Sequence, residues 1–216
     1  MNSASAPVVH LVDDDASFLR ATSRLLGAAG FAVRTYSSPS EFLADRRGDM
    51  PGCVVVDLEM PGLNGLELQQ QLETAGSAMP VVFLTGHGDI PTSVRAMRQG
   101  AEDFLTKRAP KAELVAAIER ALARDTLLRS ERARLRELRT PFDVLTPRER
   151  EVLAHVLAGR LNKQIAADLG VDERSIKRHR TSLMGKLRVG SVAELTHLVH
   201  EAGLHFSAPK STSLRL

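Results

Sequence analysis

The sequence predicts an α/β domain with a five-stranded, parallel, doubly wound sheet, then a helical linker, then a small all-α domain of four helices containing a helix-turn-helix. Three observations carry this. Val54, Val55 and Val56 form a β-branched run of the kind buried on both faces of a parallel sheet, and the run ends on a carboxylate, Asp57. Short apolar runs alternate with helical stretches of about ten residues up to Pro110. Beyond Pro141 strand signals stop, and helical periodicity punctuated by Gly159, Gly170 and Gly190 takes over.

Taken in order, residues 1–6 are small and polar and read as disordered. Val8 to Val12 is the first strand, ending in Asp13, Asp14 and Asp15. Leu19, Leu25 and Leu26 recur at helical spacing, and Gly30 closes that helix. Phe31 to Tyr36 is the second strand. Ser38, Pro39 and Glu41 form a capping box with proline at the first helical position. The strand ending at Asp57 follows, then the Met60-Pro61-Gly62 loop and a helix carrying Leu66, Leu68 and Leu72. Pro80 to Thr85 is the fourth strand. Pro91 to Gln99 is a short helix, with Asp89 as its cap and Gly100 as its stop. Asp103 to Thr106 is the fifth strand, followed by Lys107.

Lys111 to Arg139 reads as unbroken helix that Pro141 ends. Leu114, Ala121, Leu128 and Leu135 recur every seven residues, but the companion seam of Ile118, Asp125, Arg132 and Arg139 turns polar. A strong coiled coil needs both seams, so this segment is expected to pair weakly on its own. Thr146-Pro147-Arg148-Glu149 is a second capping box, opening a helix through Val152, Leu153, Val156 and Leu157 that Gly159 stops. Asn162 is the expected cap of the next helix, with Ile165, Ala166 and Leu169 inward. Gly170 makes a tight turn, and Asp172 caps a helix running to about Leu187, with Ile176, Leu183 and Leu187 inward. Gly185 inside that helix costs about 1 kcal/mol relative to alanine. Gly190 is expected to break it, and Val192 to Ala202 forms the last helix, whose stripe of Leu195, Leu198 and Val199 is the expected pairing face between two copies.

The net charge of +3 hides an asymmetry: residues 1–119 carry −5, residues 120–140 carry +4 and residues 141–216 carry +4. An acidic front and a basic back point to a nucleic-acid partner for the back half. The helix after Gly170 carries Arg174, Lys177, Arg178, His179 and Arg180, a density suited to a DNA major groove; a merely solvated basic face is the plainer reading. One aromatic, Phe142, precedes the tail of the back half, so a stacking platform for RNA is disfavoured. The single cysteine, Cys53, excludes an internal disulfide and a cysteine-based zinc site. No apolar run reaches membrane-spanning length and no leader pattern precedes the first strand. The expectation is a cytoplasmic protein without a membrane partner.

Ligands of open parallel sheets bind outside the carboxyl ends of the strands. There the chain sets Asp13 and Asp14, Asp57, Thr85 and Lys107. A lone strand-end aspartate is also a common helix cap; the set is more demanding. Three carboxylates brought together repel, and Mg²⁺, an oxygen-seeking cation that binds beside phosphate, relieves that. Thr85 suits a hydrogen bond to an incoming phosphoryl oxygen, and Lys107 suits another oxygen's charge. The cluster reads as a site that accepts a phosphoryl group on Asp57.

On these residues, with Met60-Pro61 after Asp57, residues 7–125 resemble a two-component receiver domain. The resemblance implies that Asp14, Asp57 and the backbone carbonyl of Glu59 hold Mg²⁺ directly, that Asp13 helps through water, and that Phe104 is an aromatic switch. A buried core aromatic is the plainer reading of Phe104. Receivers usually have proline, with a cis bond before it, where this chain has Arg108. Thr85-Gly86-His87-Gly88-Asp89 resembles the FixJ-like branch, and His87 reads as a loop residue rather than a ligand.

Residues 142–205, through L-T-P-R-E-R-E-V-L at 145–153, N-K-Q-I-A at 162–166 and S-I-K-R-H-R at 175–180, resemble the LuxR-type DNA-binding domain. By position Lys177, Arg178 and Thr181 would face base edges, and Lys163 and Arg180 would meet phosphates. Arg178 stands where an aliphatic residue is frequent. Residues 126–141 are then a linker and 206–216 a tail. Together the resemblances imply a response regulator of the NarL/FixJ group. A sensor histidine kinase would phosphorylate Asp57. Receivers would then form a homodimer through the helix at 91–99 and Phe104, and the dimer would bind double-stranded DNA, with RNA polymerase as a further partner. One rival is an aspartate-nucleophile phosphatase with Glu59 as acid-base carboxylate, in which the back half has no place. Another is a receiver that answers a ligand instead of phosphate.

Overall fold

The structure, a computed structural model, describes residues 6–45, 50–86 and 90–207. The roles expected of residues 1–5, His87, Gly88, Asp89 and 208–216 lie outside the described residues. The chain divides between Arg129 and Ser130 into two compact units.

In the first unit the strands are β1 (Val8–Val12), β2 (Ala32–Tyr36), β3 (Gly52–Val56), β4 (Val81–Thr85) and β5 (Asp103–Thr106). They form one parallel sheet in the order β2-β1-β3-β4-β5. The helices are α1 (Ala16–Ala28), α2 (Pro39–Asp45), α3 (Gly65–Thr74), α4 (Ile90–Arg98) and the start of α5 (Lys111–Asp143). β3 and β4 are buried at every residue, as their unbroken apolar runs require. Two cores lie on the two faces of the sheet. Phe42, Val54, Val56, Leu68, Leu72 and Phe83 are in one, and Val9, Leu11, Leu26, Val55, Val82 and Ile118 are in the other. Alternation along a strand sends neighbouring valines of β3 to opposite cores. The strand order reverses between β1 and β3, which opens a crevice at their carboxyl ends.

Helix starts follow local chemistry. Asp15 caps α1 by accepting the Ser17 and Phe18 amides. Asn64 and Glu67 form a complete capping box on α3. On α2 the expected box closes differently: Ser38 Oγ accepts the Glu41 amide, but the Glu41 carboxylate reaches back to the amide and hydroxyl of Ser37. α5 runs on past Pro141 to Asp143. The proline sits in the last turn, where one lost hydrogen bond is cheap, and buried Phe142 anchors that turn in the second unit's core. Asp125, expected on a polar helix-pairing seam, is instead 3% exposed. It accepts the Gly52 amide at 2.9 Å and the Arg129 side chain at 2.7 Å, while Arg129 also bonds the Met50 carbonyl oxygen.

The second unit packs the end of α5 with α6 (Pro147–Leu157), α7 (Asn162–Leu169), α8 (Glu173–Leu187) and α9 (Val192–Glu201). The Thr146–Glu149 box forms as expected. Buried Glu149 also accepts Ser182 Oγ at 2.6 Å and Lys186 Nζ at 2.7 Å, tying α6 to α8. Burial would raise the Glu149 carboxyl pKa, but these bonds and those of Thr146 outweigh it and bring it down to about 2. Gly170 takes the left-handed conformation (φ 66°) that the tight turn demands. One expectation is corrected. Leu161, not Asn162, occupies the cap position of α7, with Gln164 accepting its amide, and Asn162 turns aside to accept Arg180 at 2.6 Å. α8 ends at Leu187, as its apolar spacing requires, and Arg188 (φ 55°) caps it ahead of Gly190. Leu195 and Val199 of α9 are buried in this unit's own core, and Leu198 packs against it. The apolar stripe expected to pair two copies is therefore spent inside the domain. Phe206, assigned from sequence to the tail, packs its ring at a tilt against Phe142, centroids 5.9 Å apart.

Candidate functional site

The crevice between β1 and β3 gathers the expected set. Asp57 N–H donates to the Val12 carbonyl oxygen at 2.9 Å, and Asp13 N–H donates to that of Tyr36 at 3.1 Å. Lys107 N–H donates to that of Thr85 at 2.7 Å. The parallel ladder thus runs one residue past the strands and holds all these residues on one rim. Lys107 Nζ lies 2.6 Å from Asp13 Oδ2 and 2.8 Å from Asp57 Oδ2. Asp13, Asp14 and Asp57 each offer an oxygen within 4.8 Å of the others. Asp13 and Asp57 are buried and Asp14 is exposed, so the cluster opens to solvent on one side.

Burial pushes the Asp13 carboxyl above its ordinary pKa, against bonds from Lys107 and the Asp15 amide. Burial works to lower the Lys107 ammonium, and the bonds to Asp13 and Asp57 outweigh it and raise it. Lys107 therefore stays charged at neutral pH. Thr85 is fully buried at the end of β4. Glu59 follows Asp57 in the loop, with its amide 3.4 Å from Asp57 Oδ1. The bond before Arg108 is trans, and among the described residues there is no cis peptide. Phe104 faces Phe83 across β4 and β5, ring centroids 6.0 Å apart, with Phe104 partly buried and Phe83 fully so.

Two residues here were not expected. Gly65, the first residue of α3, lies against Asp57: a Cβ there would stand 2.4 Å from the Asp57 carbonyl oxygen. Phe18 puts its ring under Lys107, with Nζ 4.5 Å from the ring centroid. Its sequence signal was an aromatic three residues into a helix capped by Asp15.

In the second unit, Lys163, Lys177, Arg178 and Thr181 are exposed on α7 and α8. Lys177 pairs with Glu173 at 3.2 Å, and Thr181 Oγ1 donates to the Lys177 carbonyl. Arg180 is partly buried and bridges to Asn162, so it braces the two helices as well as offering charge. No helix of the described residues is long and apolar enough to cross a membrane.

Comparison with known proteins agrees with both halves. Residues 9–119 match the model of the response regulator receiver domain, and residues 143–199 match that of bacterial regulatory proteins of the luxR family. The chain is 40% identical over 193 residues to the response regulator protein TodT of Pseudomonas putida, covering 89% of this chain and 85% of TodT. It is 36% identical over 196 residues to the transcriptional regulatory protein FixJ of Bradyrhizobium diazoefficiens, covering 91% and 96%. Among solved structures, the response regulator StyR at low resolution is similar with TM-score 0.75 and 44% identity, covering 91% of this chain and all of that one. Full-length FixJ from B. japonicum is similar with TM-score 0.55 and 36% identity, covering 91% and 97%.

Proposed function

We propose, from the premise that this chain belongs to the response regulators joining a receiver domain to a luxR-family DNA-binding domain, that it takes a phosphoryl group on Asp57 from a sensor histidine kinase and then pairs and binds its operator. By family it is a transcriptional regulator and not a turnover enzyme, which removes the phosphatase alternative.

The observation that carries the phosphoacceptor role is the Lys107 ammonium set between Asp13 and Asp57, with Asp14 alongside. The donor set is all oxygen, clustered and open on one side, and so fits Mg²⁺. Asp14, Asp57 and the Glu59 carbonyl would hold it, with Asp13 through water. Bound there, the ion would supply charge neutralisation for the phosphoryl oxygens. The chain's own part is explicit. A carboxylate oxygen of Asp57 attacks phosphorus, and an O–P bond forms. The phosphohistidine P–N bond breaks, and its electron pair leaves on the imidazole nitrogen. Lys107 meets one phosphoryl oxygen and Thr85 another. Drawing Thr85 toward the phosphoryl group would free space for Phe104 to turn inward.

The outward face of α4 supports pairing after phosphorylation. Val94 and Met97 are 49% and 46% exposed there, beside the exposed Arg95 and Arg98. On DNA, Lys177, Arg178 and Thr181 would read base edges, and Lys163 and Arg180 would meet phosphates. Two copies related by a two-fold axis would bind inverted half-sites about one helical turn apart.

The test is a small phosphodonor with Mg²⁺, read by intact mass and peptide mapping. One phosphoryl group should appear, on Asp57. An Asp57→Asn chain gaining the same mass would sink the assignment. Sedimentation with and without donor tests the pairing.

A further inference from the structure

We propose that Phe18 is a positioning residue for Lys107: its ring holds the ammonium over the carboxylate cluster, and that hold sets how fast Asp57 takes up a phosphoryl group. The inference rests on the phosphoacceptor reading above.

The placement begins in the Asp13-Asp14-Asp15 run. Asp15 does not join the cluster. Its Oδ1 accepts the Ser17 amide at 2.8 Å and the Phe18 amide at 3.1 Å, which fixes the first turn of α1. Leu19 then turns into the core, and Phe18 stays half-buried beside the end of β1. Lys107 thus has three partners: Asp13 Oδ2, Asp57 Oδ2 and the ring face at 4.5 Å.

These partners do different things. The carboxylates attract the charge but leave a long, flexible, strongly hydrated side chain free to lean outward. The ring attracts the cation through its quadrupole and keeps water off that side. Phosphorylation turns the Asp57 carboxylate into an acyl phosphate, so one anionic partner changes while the ammonium must stay in place. The ring contact does not depend on that change. An aliphatic side chain at position 18 would fill the same space and exclude the same water without attracting the cation. The effect of that loss should be about threefold to tenfold on the rate.

The full chain and four variants, F18Y, F18W, F18L and F18M, decide the matter. The second-order rate of phosphorylation by acetyl phosphate with Mg²⁺ is followed by intact mass. The proton shifts of the Lys107 ε-methylene, displaced by the ring current of Phe18, are followed by NMR without donor. F18Y and F18W should react within about twofold of the parent and keep displaced Lys107 signals. F18L and F18M should react about threefold to tenfold slower and lose the displacement. The proposal is overturned if F18L reacts at the parent rate, or if F18Y and F18W slow as much as F18L. A parent chain that gains no mass on Asp57 overturns the phosphoacceptor reading and the rate claim with it. The Lys107 signals separate that outcome from failure of the ring contact, since the ring displaces them with no phosphoryl group present.

Discussion

Replacing Gly65 by alanine should slow phosphoryl uptake while leaving the first unit folded. A Cβ at this position would lie 2.4 Å from the Asp57 carbonyl oxygen and 3.1 Å from the Phe83 ring. Cβ atoms do not sit closer than 3.0 Å to such neighbours, so the backbone carrying Asp57 must give way by at least 0.6 Å. It cannot simply swing aside, because Gly65 N–H is bonded to the Leu58 carbonyl oxygen at 3.1 Å and Phe83 is fully buried. Overpacking of this kind costs about 1–3 kcal/mol. The carboxylate moves with its backbone, and misplacement by 1 Å can cost about a hundredfold in rate, so a shift of this size corresponds to roughly tenfold. The measurement is the phosphorylation rate with a small donor, beside a thermal melt. Gly27→Ala is the control: nothing lies within 4 Å of its Cβ, and it should react at the parent rate with an equal or higher melting point. A Gly65→Ala chain that matches the parent in both rate and melting point would refute the reasoning.

Three further outcomes are expected. His10 is fully buried; Tyr36 spends its hydroxyl proton on Asp45, so His10 Nδ1 donates to Tyr36 and Nε2 has no hydrogen-bond partner. Burial, with help from Arg34, lowers the imidazole from 6.5 to about 4. The unfolded chain therefore binds this proton first, and stability present in full above pH 6.5 should fall as pH drops toward 4, by at most about 3 kcal/mol. His10→Phe should flatten urea-unfolding stability across that window; an unchanged slope would assign it to other groups. Glu149→Gln should destabilise the second unit by about 2–4 kcal/mol, because Lys186 loses its buried partner. The parent's contribution from Glu149 should be intact above pH 4.5 and fade toward about 2, as acid titrations of unfolding would record. Lys177→Ala should cost ~1–3 kcal/mol on the operator and relax preference at one position. Lys163→Ala should instead weaken all DNA alike and lower the salt slope by about one unit. Equal weakening of operator and scrambled DNA by Lys177→Ala would transfer base reading to Arg178.

Where the chemistry is local, the sequence showed it. Unbroken valines at 54–56 require a strand buried on both faces, and a charged residue directly after such a run must stand at its rim; Asp57, Asp13 and Lys107 were legible for that reason. Elements whose partners lie far along the chain were not. Asp125 looked like a flaw in a heptad, because its acceptor role is defined by Gly52, seventy-three residues away. The stripe of Leu195 and Val199 told that α9 buries one face, but periodicity does not say against what, and the answer is the domain's own core. Asn162 has the chemistry of a cap and uses it sideways on Arg180, a choice only the packing of α7 on α8 makes. Phe18 could be read as a first-turn aromatic of α1 but not as a partner of Lys107, which arrives from the far edge of the sheet.

The Asp125–Gly52 bond bears on how such a protein can be cut and rejoined. Similarity to the receiver family ends at residue 119, which invites exchange of the output module at that point. A splice there would remove the carboxylate that satisfies a buried amide at the base of β3, the strand whose other end carries Asp57, and with it Arg129 on the Met50 carbonyl. An orphaned buried amide costs about 1–3 kcal/mol. The natural seam for a chimera therefore falls after Arg129, one turn beyond Asp125, and fusions joined earlier should inherit a phosphoacceptor strand with a loose root.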